Sequence, residues 1–271
     1  MPALIKNQLI KSQLNITLVQ GATRWHDPDG NRSYYGELIA PLKGSDLILL
    51  PETFTSGFSN EAIHNAETMD GPTVAWMRAQ AGATDAAVCG SVQLRVDGKV
   101  YNRLLFATPD GTVRHYDKRH LFRYAGEHER YAAGSERLIV DWRGWRICPL
   151  VCYDLRFPVY SRNAHRAGRF DYDLLLFVAN WPTPRREPWR TLLRARAIEN
   201  LSYCAGLNRV GMDGNGLGYS GDSAVVDFLG QPLAELGAQE QVVTVALDHQ
   251  ALAAHRERFP AWMDADEFRL G

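Results

Sequence analysis

Three side chains in this sequence have the types needed to open an acyl bond together: Glu52, Lys118 and Cys152. Cys152 closes the apolar run "WRICPLVC" and is followed at once by the polar break "YDLRFP". Glu52 comes directly after "DLILLP" and Lys118 directly after "TVRHYD", so each stands at the end of a strand-like segment. In α/β sheets, functional groups gather outside the carboxyl ends of strands. A thiol is a weak nucleophile until it loses its proton, and it needs a base or cation nearby to do so. A carboxylate in a dry pocket can take that proton near neutral pH. A fixed ammonium can stabilise the oxyanion formed when sulfur attacks a carbonyl. Base, cation and thiol form a working set for acyl transfer.

Taken singly, each has a plainer reading. A buried cysteine is usually a small hydrophobe, and that reading is accepted for Cys89, Cys148 and Cys204, which lie inside strand patterns. Glu52 alone reads as a loop carboxylate taking backbone hydrogen bonds, and Lys118 alone as an exposed turn lysine. A redox role for Cys152 needs a resolving thiol. Cys148 lies roughly 13 Å away along the same strand, beyond direct disulfide reach. That reading also leaves Glu52 and Lys118 without a part.

The elements that must position these residues alternate. "NITLVQ" (15–20), "DLILLP" (46–51) and "DLLLFVAN" (173–180) are buried-strand runs, and a helix-like "YYGELIAPL" separates the first two. Pro72 starts a helix with Val74 and Met77 on one face. Asp97-Gly98 and Arg143-Gly144 are two-residue turns between strand pairs. "VYSRNAHRAG" predicts a helix ended by Gly168. "PWRTLLRARAIENL" predicts another, with Pro188 at its start and Leu192, Leu193, Ala197 and Leu201 as its stripe. "SYCAGLN", "SAVVDFLG" and "QVVTVALD" close the set as strands. Pro149 removes a ladder donor and predicts a local bulge. Strands alternating with helices, with hairpins among them, define an α/β fold with mixed sheets. No linker interrupts residues 14–257, so one domain over 1–271 is expected. Its tail from about residue 258 carries Phe259, Trp262, Met263 and Phe268, suited to capping the fold or to a subunit interface.

Composition narrows the class. The 271 residues are 45% apolar, enough for a substantial core. Thirty basic and 31 acidic residues leave a formal charge of −1 with no basic block, which argues against nucleic-acid binding. Lys6 and Lys11 break the N-terminal apolar stretch, so it lacks a signal-peptide core. No run approaches the ~18 apolar residues of a membrane span. A cytoplasmic protein with neither membrane nor nucleic-acid partner is expected. Four cysteines make no disulfide framework, and no histidine lies at ligand spacing from one, so no metal is expected. "GLGYSG" (216–221) matches a dinucleotide loop but runs into a strand instead of a helix.

"LLPETF" around Glu52, "YDKRHLF" around Lys118 and "VCYDLRFP" around Cys152 resemble the Glu-Lys-Cys motifs of the nitrilase superfamily of carbon–nitrogen hydrolases. "LRARAIEN" (193–200) and "SGDSAVVDFLG" (220–230) resemble two further stretches of that family, and "KRHLF" and "CYDLRFP" its Nit-type ω-amidase branch. The resemblance implies a four-layer α-β-β-α sandwich that pairs into homodimers or larger homo-oligomers. It implies a cofactor-independent amidase acting on small amides with a distal carboxylate, such as 2-oxoglutaramate or succinamate. A nitrile or N-carbamoyl substrate is the alternative within the fold. It also implies a second pocket glutamate, which "GEHERY" offers as Glu127 or Glu129, Glu127 being favoured by its separation from the cysteine. Tyr153 would give its backbone N–H to the oxyanion. Phe122, Tyr153 and Trp181 are expected as pocket walls, and Arg123, Arg185 and Arg186 as cations for a substrate carboxylate. Asp154 and Arg156 are read as an ion pair holding the elbow after Cys152 in preference to substrate contact, and Arg196 with Glu199 as a further structural pair.

Overall fold

The computed structural model describes residues 10–267. In chain order, β1 (Gln13–Gln20), α1 (Pro28–Ile39), β2 (Leu47–Leu49), α2 (Pro72–Thr84), β3 (Ala87–Val96), β4 (Lys99–Ala107) and β5 (Val113–Asp117) build the first half. Then come β6 (Val140–Trp142), β7 (Trp145–Val151), α3 (Pro158–Ser161), β8 (His165–Arg166), β9 (Arg169–Phe170), β10 (Leu174–Ala179) and α4 (Arg186–Asn200). The last stretch holds β11 (Tyr203–Asn208), β12 (Val210–Met212), β13 (Gly218–Ser220), β14 (Ala224–Val226), β15 (Pro232–Glu235), β16 (Gln241–Asp248) and α5 (His249–Arg258). Two six-stranded mixed sheets result, in the orders β16-β1-β2-β3-β4-β5 and β15-β14-β11-β10-β7-β6.

Period-two alternation assigns the layers. Ile16, Leu18, Leu47, Leu49, Cys89, Leu104 and Phe106 face the second sheet and share one core with it. Their neighbours Val19, Ile48, Leu50, Val88 and Leu105 face the other way, onto Tyr35 and Ile39 of α1 and Val74 and Met77 of α2. On the far side α4 lies against β11. It comes so close at Gly206 that a Cβ there would stand 2.5 Å from Leu193 and 2.7 Å from Trp189. The order is therefore α-β-β-α.

Both predicted hairpins form. Asp97 and Gly98 have φ of 48° and 77°, and Arg143 and Gly144 have 52° and 85°. Left-handed conformation at both central residues gives the turn twist that matches the strands.

Three local expectations are corrected. The helix predicted over "VYSRNAHRAG" stops after four residues, and residues 165–170 form the β8–β9 hairpin. Asn163 is the reason. Its side-chain amide donates to the carbonyls of Tyr172 and Asn200 at 2.9 and 3.1 Å, and its backbone N–H donates to Asn200 Oδ1 at 2.8 Å. Those bonds draw the chain out of helical geometry. The bulge at Pro149 is not there, since β7 keeps an unshifted register with β10 from Ile147 to Val151. Pairing with β6 ends at Ile147, so Pro149 has a strand on one side only. Helix α4 starts at Arg186, two residues before Pro188, which lies in its first turn.

In the tail, Trp262 packs at a tilt against His165 with ring centroids 3.9 Å apart, while Phe259 and Met263 are 58% and 67% exposed. Phe268 lies outside the described residues. Among the described residues no helix is long and apolar enough to cross a membrane.

Candidate active site

The ends of β2, β5, β7 and β10 deliver Glu52, Lys118, Cys152 and Asn180 to one pocket of about 230 Å³. Glu52 and Lys118 arrive from the first sheet and Cys152 from the second, so the site is a seam between the two.

Each chain end is bent sharply. Cys152 has φ 44° and Thr53, next to Glu52, has φ 42°. Left-handed backbone at a non-glycine residue costs about 1–3 kcal/mol and persists only where surroundings hold it. Here they do. The amide of Val151 donates to Asp154 Oδ2 at 3.0 Å, behind the cysteine. The amide of Thr53 donates to Ser91 Oγ at 2.8 Å, and its hydroxyl accepts from Asn180 Nδ2 at 3.0 Å. Cys152 Sγ lies 3.8 Å from the carbonyl oxygen of Asn180.

Glu52, fully buried, is fixed at both oxygens. Oε1 accepts from Lys118 Nζ at 2.9 Å and from Asn102 Nδ2 at 2.7 Å, and Oε2 accepts from the amide of Asn180 at 2.8 Å. Lys118 Nζ also donates to Glu127 at 2.9 and 3.1 Å. Glu127 follows Gly126, whose φ of 72° turns the chain inward, and its Oε2 accepts from the amide of Phe122 at 2.6 Å. Glu129, two residues on, is exposed.

The buried charges are one ammonium against two carboxylates. Burial on its own would lower the Lys118 pKa, but Glu127 and Glu52 overcome it and hold the ammonium well above the usual lysine range. Burial raises Glu127, and Lys118 opposes that rise. Burial, then the negative charge of Glu52, pushes the Cys152 thiol well above its usual range against the pull of Lys118. Burial thus favours the neutral thiol at Cys152.

Of the residues expected at the pocket, the walls Phe122, Tyr153 and Trp181 and the cation Arg185 line it. Two expected cations do not. Arg123 is exposed on a short turn. Arg186 is held outside by Asp222 at 2.7 and 3.2 Å. The expected Asp154–Arg156 pair is also absent. Asp154 is fully buried, and its oxygens accept from Tyr116, Val151 and twice from His120, which satisfies it without a guanidinium. Arg156 instead lines the pocket, with its guanidinium 4.9 Å from the Trp181 ring centroid. Arg185 stacks over Phe122 and Tyr124 at 5.4 and 4.9 Å. Arg196 and Glu199 do pair, at 2.9 Å.

Sequence reasoning missed Asn102, Asn180 and Ser91, which orient the acid–base groups, and Tyr219 and Asp213 on the β12–β13 hairpin, which close one side. A polar residue inside "YNRLLFAT" and one ending "DLLLFVAN" were the available signals for the two asparagines.

The sandwich and its seam site define a carbon–nitrogen hydrolase: residues 15–257 match the Carbon-nitrogen hydrolase family model, and the chain belongs to that family. Among its relatives is the Omega-amidase YafV of Escherichia coli K12, 51% identical over 95% of this chain and 98% of that one. The 2-oxoglutaramate amidase of Bacillus subtilis is 34% identical, covering 82% and 85% of the two chains. A crystal structure of XC1258 from Xanthomonas campestris, a CN-hydrolase superfamily protein with an arsenic adduct in its active site, superposes with a TM-score of 0.95. It is 65% identical over 96% of this chain and all of that one.

Proposed function

We propose that this protein is a thiol-dependent ω-amidase, releasing ammonia from small amides that carry a carboxylate at the other end. The observation that carries the reading is a buried Glu52–Lys118–Cys152 cluster in a pocket that also holds two arginines stacked on aromatic rings, Arg156 and Arg185. Arginine binds a carboxylate through two parallel hydrogen bonds. The names of the Escherichia coli and Bacillus subtilis relatives support the same substrate class.

In this mechanism Glu52 takes the thiol proton as Sγ attacks the amide carbon. Lys118 and the Tyr153 N–H stabilise the oxyanion; that N–H lies in the first turn after Cys152, where amides lack an intrahelical acceptor. The tetrahedral intermediate collapses, Glu52 returns the proton to nitrogen, the C–N bond breaks and ammonia leaves a thioester. Glu52 then deprotonates water, which attacks the thioester, releases the acid and restores the thiol. Glu127 orients Lys118 and offsets its charge.

A simple nitrile would meet the same sulfur but leave two pocket arginines unexplained, whereas an N-carbamoyl amino acid also offers them a carboxylate and is separated from an ω-amide by turnover. The whole chain acts as one hydrolase domain in this reading. Exposed Ile198, Phe259 and Met263, at 51%, 58% and 67%, support pairing of two copies. Ammonia release from succinamate, 2-oxoglutaramate, glutamine, asparagine, a simple nitrile and a carbamoyl amino acid tests the proposal, with Cys152→Ala alongside. Turnover of the first two, lost in the variant, is expected. Preference for the nitrile or the carbamoyl compound would overturn the substrate class.

A further inference from the structure

Asp154 sits in the middle of the motif after Cys152, yet the chemistry above gives it no part. It is a fully buried carboxylate, and no arginine or lysine pairs with it among the described residues. Its two oxygens reach both halves of the site. Oδ2 accepts from the amide of Val151, the residue before Cys152, at 3.0 Å, and from the hydroxyl of Tyr116 on β5 at 2.8 Å. Oδ1 accepts from the amide and from Nδ1 of His120, two residues after Lys118, at 3.0 and 2.7 Å. The Tyr116 hydroxyl in turn accepts from the amide of Arg119, next to Lys118, at 3.1 Å. One carboxylate thus binds the strained elbow of Cys152 on the second sheet and the loop after Lys118 on the first.

From this geometry we infer that Asp154 is a positioning residue that sets Cys152 against Lys118, with Tyr116 and His120 as its two arms. The β5 and β7 strands belong to different sheets, so no ladder bond fixes their relative register. Side-chain packing between sheets tolerates small slides, whereas four hydrogen bonds to one carboxylate do not. His120 is itself steadied by stacking on Phe157, with ring centroids 3.8 Å apart. Phe157 belongs to the same polar break as Asp154. Displacing reacting groups by about 1 Å costs on the order of 10²-fold in rate, so the expected signature is a loss in kcat with substrate binding spared.

This inference rests on Cys152 and Lys118 acting together, so its test includes a readout independent of any amide. Asp154→Asn replaces one acceptor oxygen by a donor facing donors, while Tyr116→Phe removes one arm and keeps the ring. Both variants, with Asn163→Ala as a control that weakens the fold elsewhere, are assayed for kcat, KM and the alkylation rate of Cys152 by iodoacetamide. Asp154→Asn is expected to lower kcat by roughly 10–100-fold, to move KM by less than about 3-fold, and to slow alkylation about 10-fold. Tyr116→Phe is expected to lower kcat and alkylation several-fold, and it decides the matter if Asp154→Asn does not fold. Wild-type kcat and alkylation in a folded variant would overturn the inference, as would equal losses in Asn163→Ala at equal loss of Tm. If the wild type hydrolyses no ω-amide, the alkylation rates still decide the role of Asp154, and the amidase reading fails separately.

Discussion

Lys118 Nζ lies 2.9 Å from Glu52 Oε1, and neither side chain is more than 1% exposed. A pair this deeply buried gains little net stability, because desolvating both ions offsets their attraction. Its value is positional. In the proposed mechanism the ammonium holds the carboxylate where it can reach the thiol, and Glu127 on the other side helps keep the ammonium charged.

Replacing Lys118 by Met would leave Glu52 and Glu127 as neighbouring buried carboxylates with no cation between them. Breaking a buried pair this way costs about 3–5 kcal/mol, and removing an oxyanion-stabilising group costs roughly 10²–10³-fold in kcat. Adding Glu127→Gln should recover much of the stability and none of the activity. Thermal unfolding and turnover on the two variants separate the roles, and a double variant that regains activity would contradict them.

The protonation state of Cys152 is open to measurement. Burial and Glu52 together raise the thiol, so its iodoacetamide alkylation rate should still be climbing with pH above the usual thiol range near 9. A plateau already reached below about pH 7, the mark of a preformed thiolate, would contradict the neutral thiol.

Arg156 and Arg185 should act on binding. Arg156→Met and Arg185→Met are each expected to raise KM for succinamate by roughly 10–100-fold, the worth of a charge-assisted hydrogen bond or two. Changes in kcat should stay within about 3-fold, since the carboxylate is held equally in ground and transition states. An uncharged amide of the same length should lose nothing. Equal losses on both amides would show that the arginines hold the pocket's shape and not the carboxylate.

Alkaline stability follows from the thiols. Burial lifts Cys148 to about 12 and raises Cys89 and Cys204 as well, from 9.0 in the unfolded chain. The folded state therefore keeps protons that the unfolded state releases. Their contribution is fully present below about pH 9 and is lost as pH rises toward the folded values, on the order of 1 kcal/mol per pH unit for each thiol. Tm should be nearly flat from about pH 7 to pH 8.5 and fall steeply above pH 9, less steeply in Cys148→Ala. A Tm that stays flat to about pH 11 would contradict this account.

Much of this architecture was legible in the sequence because local and global signals agree. Asp97-Gly98 can turn only one way, and the runs ending at Glu52 and Cys152 are apolar until a polar residue closes them. The failures share a cause. The "VYSRNAHRAG" segment has helical character in isolation, but Asn163 finds partners in Tyr172 and Asn200 that only the folded chain supplies. Arg156 and Asp154 are two residues apart and oppositely charged, which suggests a pair. Tyr116 and His120, more than thirty positions away, take the carboxylate instead. Arg123 and Arg186 flank the strand ends in sequence, yet one is exposed and the other neutralises Asp222. Long-range partners for polar groups leave no periodic trace.

The central claim is a covalent bond between substrate and Cys152, and trapping it is the most direct measurement. Wild-type protein mixed with succinamate is acid-quenched during turnover, digested with trypsin and analysed by fragment mass spectrometry. The peptide "ICPLVCYDLR" carries both Cys148 and Cys152, so the fragments assign the modified sulfur. The account predicts an adduct with the mass of succinic acid less water on Cys152, removed by hydroxylamine and absent from Cys152→Ala, which also releases no ammonia. Steady turnover with Cys152 unmodified, or ammonia release by Cys152→Ala, would contradict it.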